Sequence, residues 1–238
     1  IILILKESMK RKIIQQLKLW KDNPARKPLI LLGARQVGKT WVMKHFGLTE
    51  IENVAYINCD VEPLAKELFA ADYNIPRILL TLQAITGTKI EAGKTLIVFD
   101  ELQEVERGLH SLKYFQENAP EYHVMAAGSL LGITLGKGQS FPVGKVNVMH
   151  LYPMDFEEFL MAAGETDLCD LLHQPDWEIL KILSLKYVDL LRQYYYVGGM
   201  PEVVDCFFQH QNLQEVRDKQ TEILDAYRRD ISKHTTAT

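Results

Sequence analysis

Gly33-Ala34-Arg35-Gln36-Val37-Gly38-Lys39-Thr40 fits the pattern G-x-x-x-x-G-K-[ST], and its reading decides the fold. Immediately before it, Pro28–Leu32 (PLILL) is a short continuous apolar run of the kind that forms a strand buried on both faces. Immediately after it, Thr40–Phe46 carries a helical pattern. Glycines let the backbone wrap closely around a phosphate, and successive N–H groups at a helix N-terminus form an anion site. In that setting Lys39 is placed to reach β- and γ-phosphates, and the Thr40 hydroxyl to ligate Mg²⁺. An ordinary glycine-rich strand-to-helix turn is the bland alternative, and the strand–loop–helix order argues against it.

Working outward, further apolar runs stand at Val54–Ile57, Thr95–Phe99, His123–Ala127 and Val146–Leu151. Helical patterns fall between them at 38–47, 62–72, 75–88 and 107–118, and a helix over 9–21 precedes the first strand and stops at Asp22-Asn23-Pro24. Strands alternating with helices predict a parallel sheet covered on both faces. The run Leu96-Ile-Val-Phe-Asp100-Glu101 ends in two acids some sixty residues beyond the lysine. Asp100 at the carboxyl end of a strand can hold Mg²⁺ through its water shell, and Glu101 directly after it can polarise an attacking water. Alone, such a pair often only caps the next helix; beside the phosphate loop it reads as catalytic. Val124-Met-Ala-Ala-Gly-Ser129 is a third strand ending in a small polar residue. Were it inserted between the other two, Ser129 would point toward a γ-phosphate; a simple Gly-Ser turn is the competing reading.

After Leu151 the pattern changes. Pro153–Leu160 opens a helix, and 176–197, 200–209 and 213–233 read as helices, whereas 128–145 (GSLLGITLGKGQSFPVGK) is rich in turn-formers and reads as a loop or hairpin. An α/β core over 9–151 followed by a helical appendage over 152–238 is the expected organisation.

Composition narrows the function classes. With 238 residues, 47% hydrophobic and 24% charged, the chain is built like a globular protein that can bury a sizeable core. Twenty-seven basic against 31 acidic residues give a net charge of −4, which leaves no electrostatic footprint for nucleic-acid or anionic-membrane binding beyond a local basic patch. The Ile1–Leu5 run is too short to span a bilayer. Cys59, Cys169 and Cys206 have neither C-x-x-C nor metal-ligand spacing, so reduced thiols are expected rather than a disulfide framework or zinc site, in keeping with the cytoplasm. The seven histidines show no H-x-x-x-H or H-E-x-x-H spacing, so histidine ligation of a metal is not expected.

Together, GARQVGKT, LIVFDELQ, AAGS, LYPMDFEEFL and GGMPEVV resemble a family of bacterial and archaeal AAA+-type ATPases related to the signal-transduction (STAND) ATPases, over about Met9 to Lys233. The resemblance implies a P-loop NTPase α/β sheet of the additional-strand type with a C-terminal helical lid. It implies ATP and Mg²⁺ as cofactors. Gly33, Ala34, Arg35, Gln36, Val37, Gly38, Lys39 and Thr40 then bind phosphate, and Thr40 and Asp100 hold the metal. Lys39, Glu101 and Ser129 serve catalysis, Ser129 at the sensor 1 position. Gly199-Met-Pro201 resembles the G-x-P turn whose proline packs near adenine, although the sequence chemistry equally describes a helix break and restart. Two departures stand out. Lys145 in Phe141-Pro-Val-Gly-Lys145 replaces the arginine common in relatives and cannot offer its bidentate fork. The chain also ends about where relatives continue into an uncharacterised C-terminal domain.

The expected activity is therefore Mg²⁺-dependent ATP binding and hydrolysis in a nucleotide-driven switch, with a second copy or another protein as partner. A nucleotide-gated interaction module without hydrolysis is the alternative reading. A kinase is a third, which Glu101 and Ser129 disfavour by pointing to water as the acceptor.

Overall fold

The computed structural model describes residues 10–70, 72–129 and 142–235. Five strands form one parallel sheet: β1 (Leu29–Gly33), β2 (Asn53–Asn58), β3 (Thr95–Asp100), β4 (His123–Ser129) and β5 (Asn147–His150), in the order β2-β3-β4-β1-β5. β4 thus lies between the strand that feeds the phosphate loop and the strand that ends in Asp100. The sequence pattern follows from this order. β1 and β3 are interior and buried at every position, so they read as unbroken apolar runs; β2 and β5 are edges and alternate in burial.

The chain divides into two compact units. The sheet unit holds residues 13–34, 38–70, 72–129 and 142–151, with helices α1 (Ile13–Asp22), α2 (Lys39–Glu50), α3 (Ile75–Thr86) and α4 (Gly108–Asn118). Phe69, Phe99 and Phe115 pack edge-on or tilted at the centre of one core cluster. Asn74 caps α3 by accepting the Arg77 N–H at 3.0 Å, and Gly87 ends it in a left-handed conformation (φ 64°). At Gly47 a Cβ would lie 2.3 Å from Val54 Cγ2, so glycine lets α2 approach β2.

In this unit the helix expected over 62–72 needs correction. Among the described residues of 62–72 there is no α-helix; Pro63–Glu67 is a 3₁₀ turn with i→i+3 bonds such as Ala65 N–H to Glu62 O. Ala65, Leu68 and Phe69 anchor this segment in the core.

The helical unit holds residues 10–12, 35–37 and 152–235, with α5 (Phe156–Ala162), α6 (Thr166–His173), α7 (Trp177–Ile182), α8 (Ser184–Val197), α9 (Pro201–His210) and α10 (Leu213–Thr235). The helix expected over 176–197 is two, broken at Leu183, and α6 is an addition to the expected set. One core gathers Met154, Phe159, Val203, Val204, Val216 and Ile223; a smaller one gathers Leu160, Leu168, Cys169 and Leu190. The Met154 N–H donates to Gly199 O, and a Cβ on Gly199 would sit 2.1 Å from Met154 O, so only glycine permits this approach. Most of the 128–145 stretch lies outside the described residues.

Candidate functional site

The Gly33–Gly38 loop leaves the carboxyl end of β1 and enters α2 through Gly38, which caps the helix in a left-handed conformation (φ 91°) without any side-chain oxygen. That capping role is the one a phosphate takes at such a turn. Gln36 is also left-handed (φ 62°), a conformation that costs a non-glycine residue roughly 1–3 kcal/mol and is found where function fixes the backbone. Lys39 is 7% exposed, and its ammonium donates to Gly33 O at 2.9 Å and Ala34 O at 2.8 Å. A buried ammonium in a cradle of carbonyls is poised for an anion.

Asp100, 4% exposed at the end of β3, accepts the Thr40 hydroxyl at 2.6 Å and the Tyr56 hydroxyl at 3.0 Å, both on Oδ2. Burial, and then the Asp100 charge, hold the Tyr56 phenol protonated by raising its pKa, so it stays a donor. The Lys44 ammonium lies 3.5 Å from the centre of the Tyr56 ring. Cys59 donates its backbone N–H to Asp100 O, and burial followed by Asp100 and Glu101 pushes its thiol up to about 12. Glu101 is left-handed (φ 53°) and half-buried, and Gln103 Nε2 donates to its Oε2 at 2.6 Å. Ser129 ends β4 in register with Gly33, so the loop, the acid pair and the β4 end share one edge of the sheet.

The middle of the loop, Arg35–Val37, packs with the helical unit. Arg11 donates through Nη1 to Val37 O at 2.8 Å and through Nη2 to Tyr152 O, while its Nε lies 3.2 Å from Glu158 Oε1. Tyr227 on α10 donates its hydroxyl to Arg35 O at 2.6 Å. Pro201 opens α9 and is buried in the helical unit. Lys145 pairs with Glu117 at 2.8 Å on the surface of the sheet unit.

Structure therefore brings Gly33, Ala34, Gly38, Lys39, Thr40, Asp100 and Glu101 together. Sequence reasoning missed Tyr56, Gln103, Arg11 and Tyr227. Gln103, two residues past Glu101, carried a local signal; the other three act over 44, 26 and 192 residues and carried none.

The donors suit the groups that the motif implies. The Thr40 hydroxyl and Asp100 carboxylate are hard oxygen ligands of the type Mg²⁺ takes, and Lys39 with the Gly38 turn suits phosphate. A parallel sheet in this order, with the phosphate loop after β1, the acid pair after β3 and helices following, is a P-loop AAA+ α/β fold with C-terminal helices. Its phosphate loop is of the P-loop NTPase kind. The AAA domain model matches residues 25–160, more than half of the chain, and the chain belongs to that family. Residues 188–238 match a domain of unknown function (DUF8612). No curated protein matches. Among solved structures, the Drosophila ORC bound to DNA is similar, with a TM-score of 0.48 and 15% identity over 89% of this chain. This chain spans 66% of that one. Among the described residues, no helix is long and apolar enough to cross a membrane.

Proposed function

We propose that the chain is a Mg²⁺-dependent ATPase of the cytoplasm, related to the STAND ATPases of bacteria and archaea, that uses hydrolysis as a conformational switch. The observation that carries this reading is the Thr40–Asp100 hydrogen bond beside the buried Lys39, with a second carboxylate, Glu101, one residue further on. Lys39 and the N–H groups of residues 33–40 would bind the phosphates, and Thr40 and Asp100 would hold Mg²⁺. Bound there, Mg²⁺ supplies charge neutralisation for the transferring phosphoryl group. Glu101 orients the attacking water and accepts its proton, while Lys39 and the loop N–H groups stabilise the charge that develops on phosphate oxygens. Ser129 serves as the γ-phosphate sensor, and Pro201 lines the adenine side of the helical lid. Domains follow the same reading: a P-loop core over 9–151 and a lid over 152–238, acting with a second copy or another protein.

The Gln103–Glu101 bond favours a second reading, in which this carboxylate is held away from water and nucleotide binding alone gates a partner. Phosphate release from MgATP separates the two, measured over a protein concentration series. Lys39→Ala abolishes tight ATP binding; Glu101→Gln keeps binding and loses turnover; Gln103→Ala raises turnover by freeing Glu101. Glu101→Gln hydrolysing at the unsubstituted rate sinks the mechanism. ATP binding without turnover in both the unsubstituted chain and Gln103→Ala selects the binding-only module. Specific activity that climbs with concentration indicates a site shared between copies.

A further inference from the structure

The turn between α9 and α10 gathers three ligand-type side chains away from the phosphate loop. Cys206 and His210 are four residues apart on α9 and so share one face of the helix. Glu215 belongs to the first turn of α10. One ligand atom from each, Sγ, a ring nitrogen and a carboxylate oxygen, all lie within 4.8 Å of one another.

Local structure fixes this arrangement. Gln211 reverses the chain in a left-handed conformation (φ 51°), and the Asn212 side chain caps α10 by accepting the Gln214 N–H at 2.9 Å. The same amide donates through Nδ2 to Glu215 Oε1 at 2.9 Å, which turns the other oxygen, Oε2, to His210 Nδ1. Cys206 is half-buried against the apolar core that contains Phe159 and Val203.

Cys169 and His173 repeat the spacing on α6, with Glu157 beside them, and the comparison is instructive. There the Lys12 ammonium occupies Glu157 at 2.7 Å, and the Cys169 thiol is buried and donates to Glu157 O. At the α9–α10 turn, by contrast, no lysine or arginine pairs with Glu215 among the described residues. The nearby Lys219 pairs with Glu202 at 3.0 Å and Glu222 at 2.8 Å instead.

We propose that Cys206, His210 and Glu215 form a site for a zinc-type divalent transition metal, with water as fourth ligand. A thiolate and a carboxylate match the charge of a dication, and a mixed sulfur, nitrogen and oxygen set selects zinc over Mg²⁺. On binding, the Cys206 S–H bond breaks, the sulfur bonds the metal and the proton leaves to solvent. Zinc–ligand bonds of about 2.0–2.3 Å require the direct His210–Glu215 hydrogen bond to open so that both groups turn to the ion, which rotation of these exposed side chains allows. Asn212 acts as a positioning residue for the Glu215 carboxylate. The metal staples α9 to α10, and all three ligands fall within the residues matched to the domain of unknown function.

Titration of the untagged, chelator-treated chain with Co²⁺ in excess Mg²⁺ tests this. One equivalent is expected to give a sulfur-to-cobalt charge-transfer band with tetrahedral d–d bands, and Zn²⁺ should abolish both. Cys206→Ser should lose the charge-transfer band, His210→Asn should weaken binding at least tenfold, and Asn212→Ala should keep the spectrum with binding weakened about tenfold. Zn²⁺ should raise the melting temperature of the unsubstituted chain and leave that of Cys206→Ser unmoved. Circular dichroism in chelator establishes that each variant is folded. No band in the unsubstituted chain overturns the site. So does the same band in folded Cys206→Ser, which would assign the sulfur to Cys59 or Cys169, and so does unchanged affinity in His210→Asn.

Discussion

Asp100 shows what a single residue's position says and what it hides. Its place after a buried apolar run, with Lys39 and Thr40 some sixty residues before it, is written in the spacing, so the acid and its hydroxyl partner could be named without coordinates. Tyr56 could not. It reaches Asp100 only because β2 pairs with β3 in a register that sets Asn58 opposite Asp100, and nothing local to Tyr56 encodes that pairing. The phenol donates to the same oxygen as Thr40, and hence orients the carboxylate that a cation would meet. Tyr56→Phe keeps the ring beneath the Lys44 ammonium and removes the bond to Asp100. Losing an orienting partner of a ligating carboxylate typically weakens metal binding 10–100-fold. The variant should therefore need about tenfold more Mg²⁺ to support nucleotide binding, with its melting temperature nearly unchanged. Fluorescent ATP-analogue binding titrated with Mg²⁺ reads this directly; equal losses with and without Mg²⁺ would remove Tyr56 from the cation's side of the site.

Among the elements, the strands were the most legible, because two-sided burial writes itself as unbroken apolar residues and edge exposure as alternation. Helices of the second unit were read less sharply: Leu183 divides what looks periodic from 176 to 197, and α6 carries only Leu168 and Cys169 as buried positions. The segment before α1 is anchored through Arg11. Arg11 and Glu158 are 3% and 7% exposed in their side chains, and the guanidinium also serves Val37 O and Tyr152 O. Breaking a buried pair strands a charge at a cost of about 3–5 kcal/mol, whereas replacing both partners by apolar groups is often neutral. Arg11→Met should lower stability by about that amount, and Arg11→Met with Glu158→Leu should recover most of it. Denaturant titrations of the two singles and the double give the coupling. A double variant no more stable than Arg11→Met would mean that the bonds to Val37 and Tyr152, rather than the charge pair, dominate.

Over the whole molecule, the order of an α/β core followed by helices was legible, whereas the make-up of the helical unit was not. Residues 10–12 and 35–37 join it through hydrogen bonds that span 26 and 141 residues, and long-range bonds of this kind leave no periodicity to read. Acid stability is also a property of this scale, because protons taken up on unfolding report the loss of a whole core. His123 begins β4 with its ring edge-on to Trp20, 6.0 Å between centroids, and is 7% exposed. Burial, then the neighbouring Arg26 charge, lowers its pKa to about 4, against 6.5 ordinarily. The unfolded chain therefore binds a proton below about pH 6.5 that the folded chain refuses until about pH 4. Stability from this residue is complete above pH 6.5, declines as pH falls through the window and is lost below pH 4. The total is about 3 kcal/mol from a shift of this size. Ion-paired carboxylates such as Glu91 and Glu117, whose pKa values are lowered by Lys89 and Lys145, add their own losses only once pH falls into the ordinary carboxylate range and below it. The interval from pH 6.5 to 5 thus isolates the imidazole. His123→Phe keeps an aromatic edge against Trp20 and deletes the titrating group, so its unfolding free energy should be flat across that interval while the unsubstituted chain loses stability. Parallel slopes in the two proteins would show that another group carries the acid sensitivity.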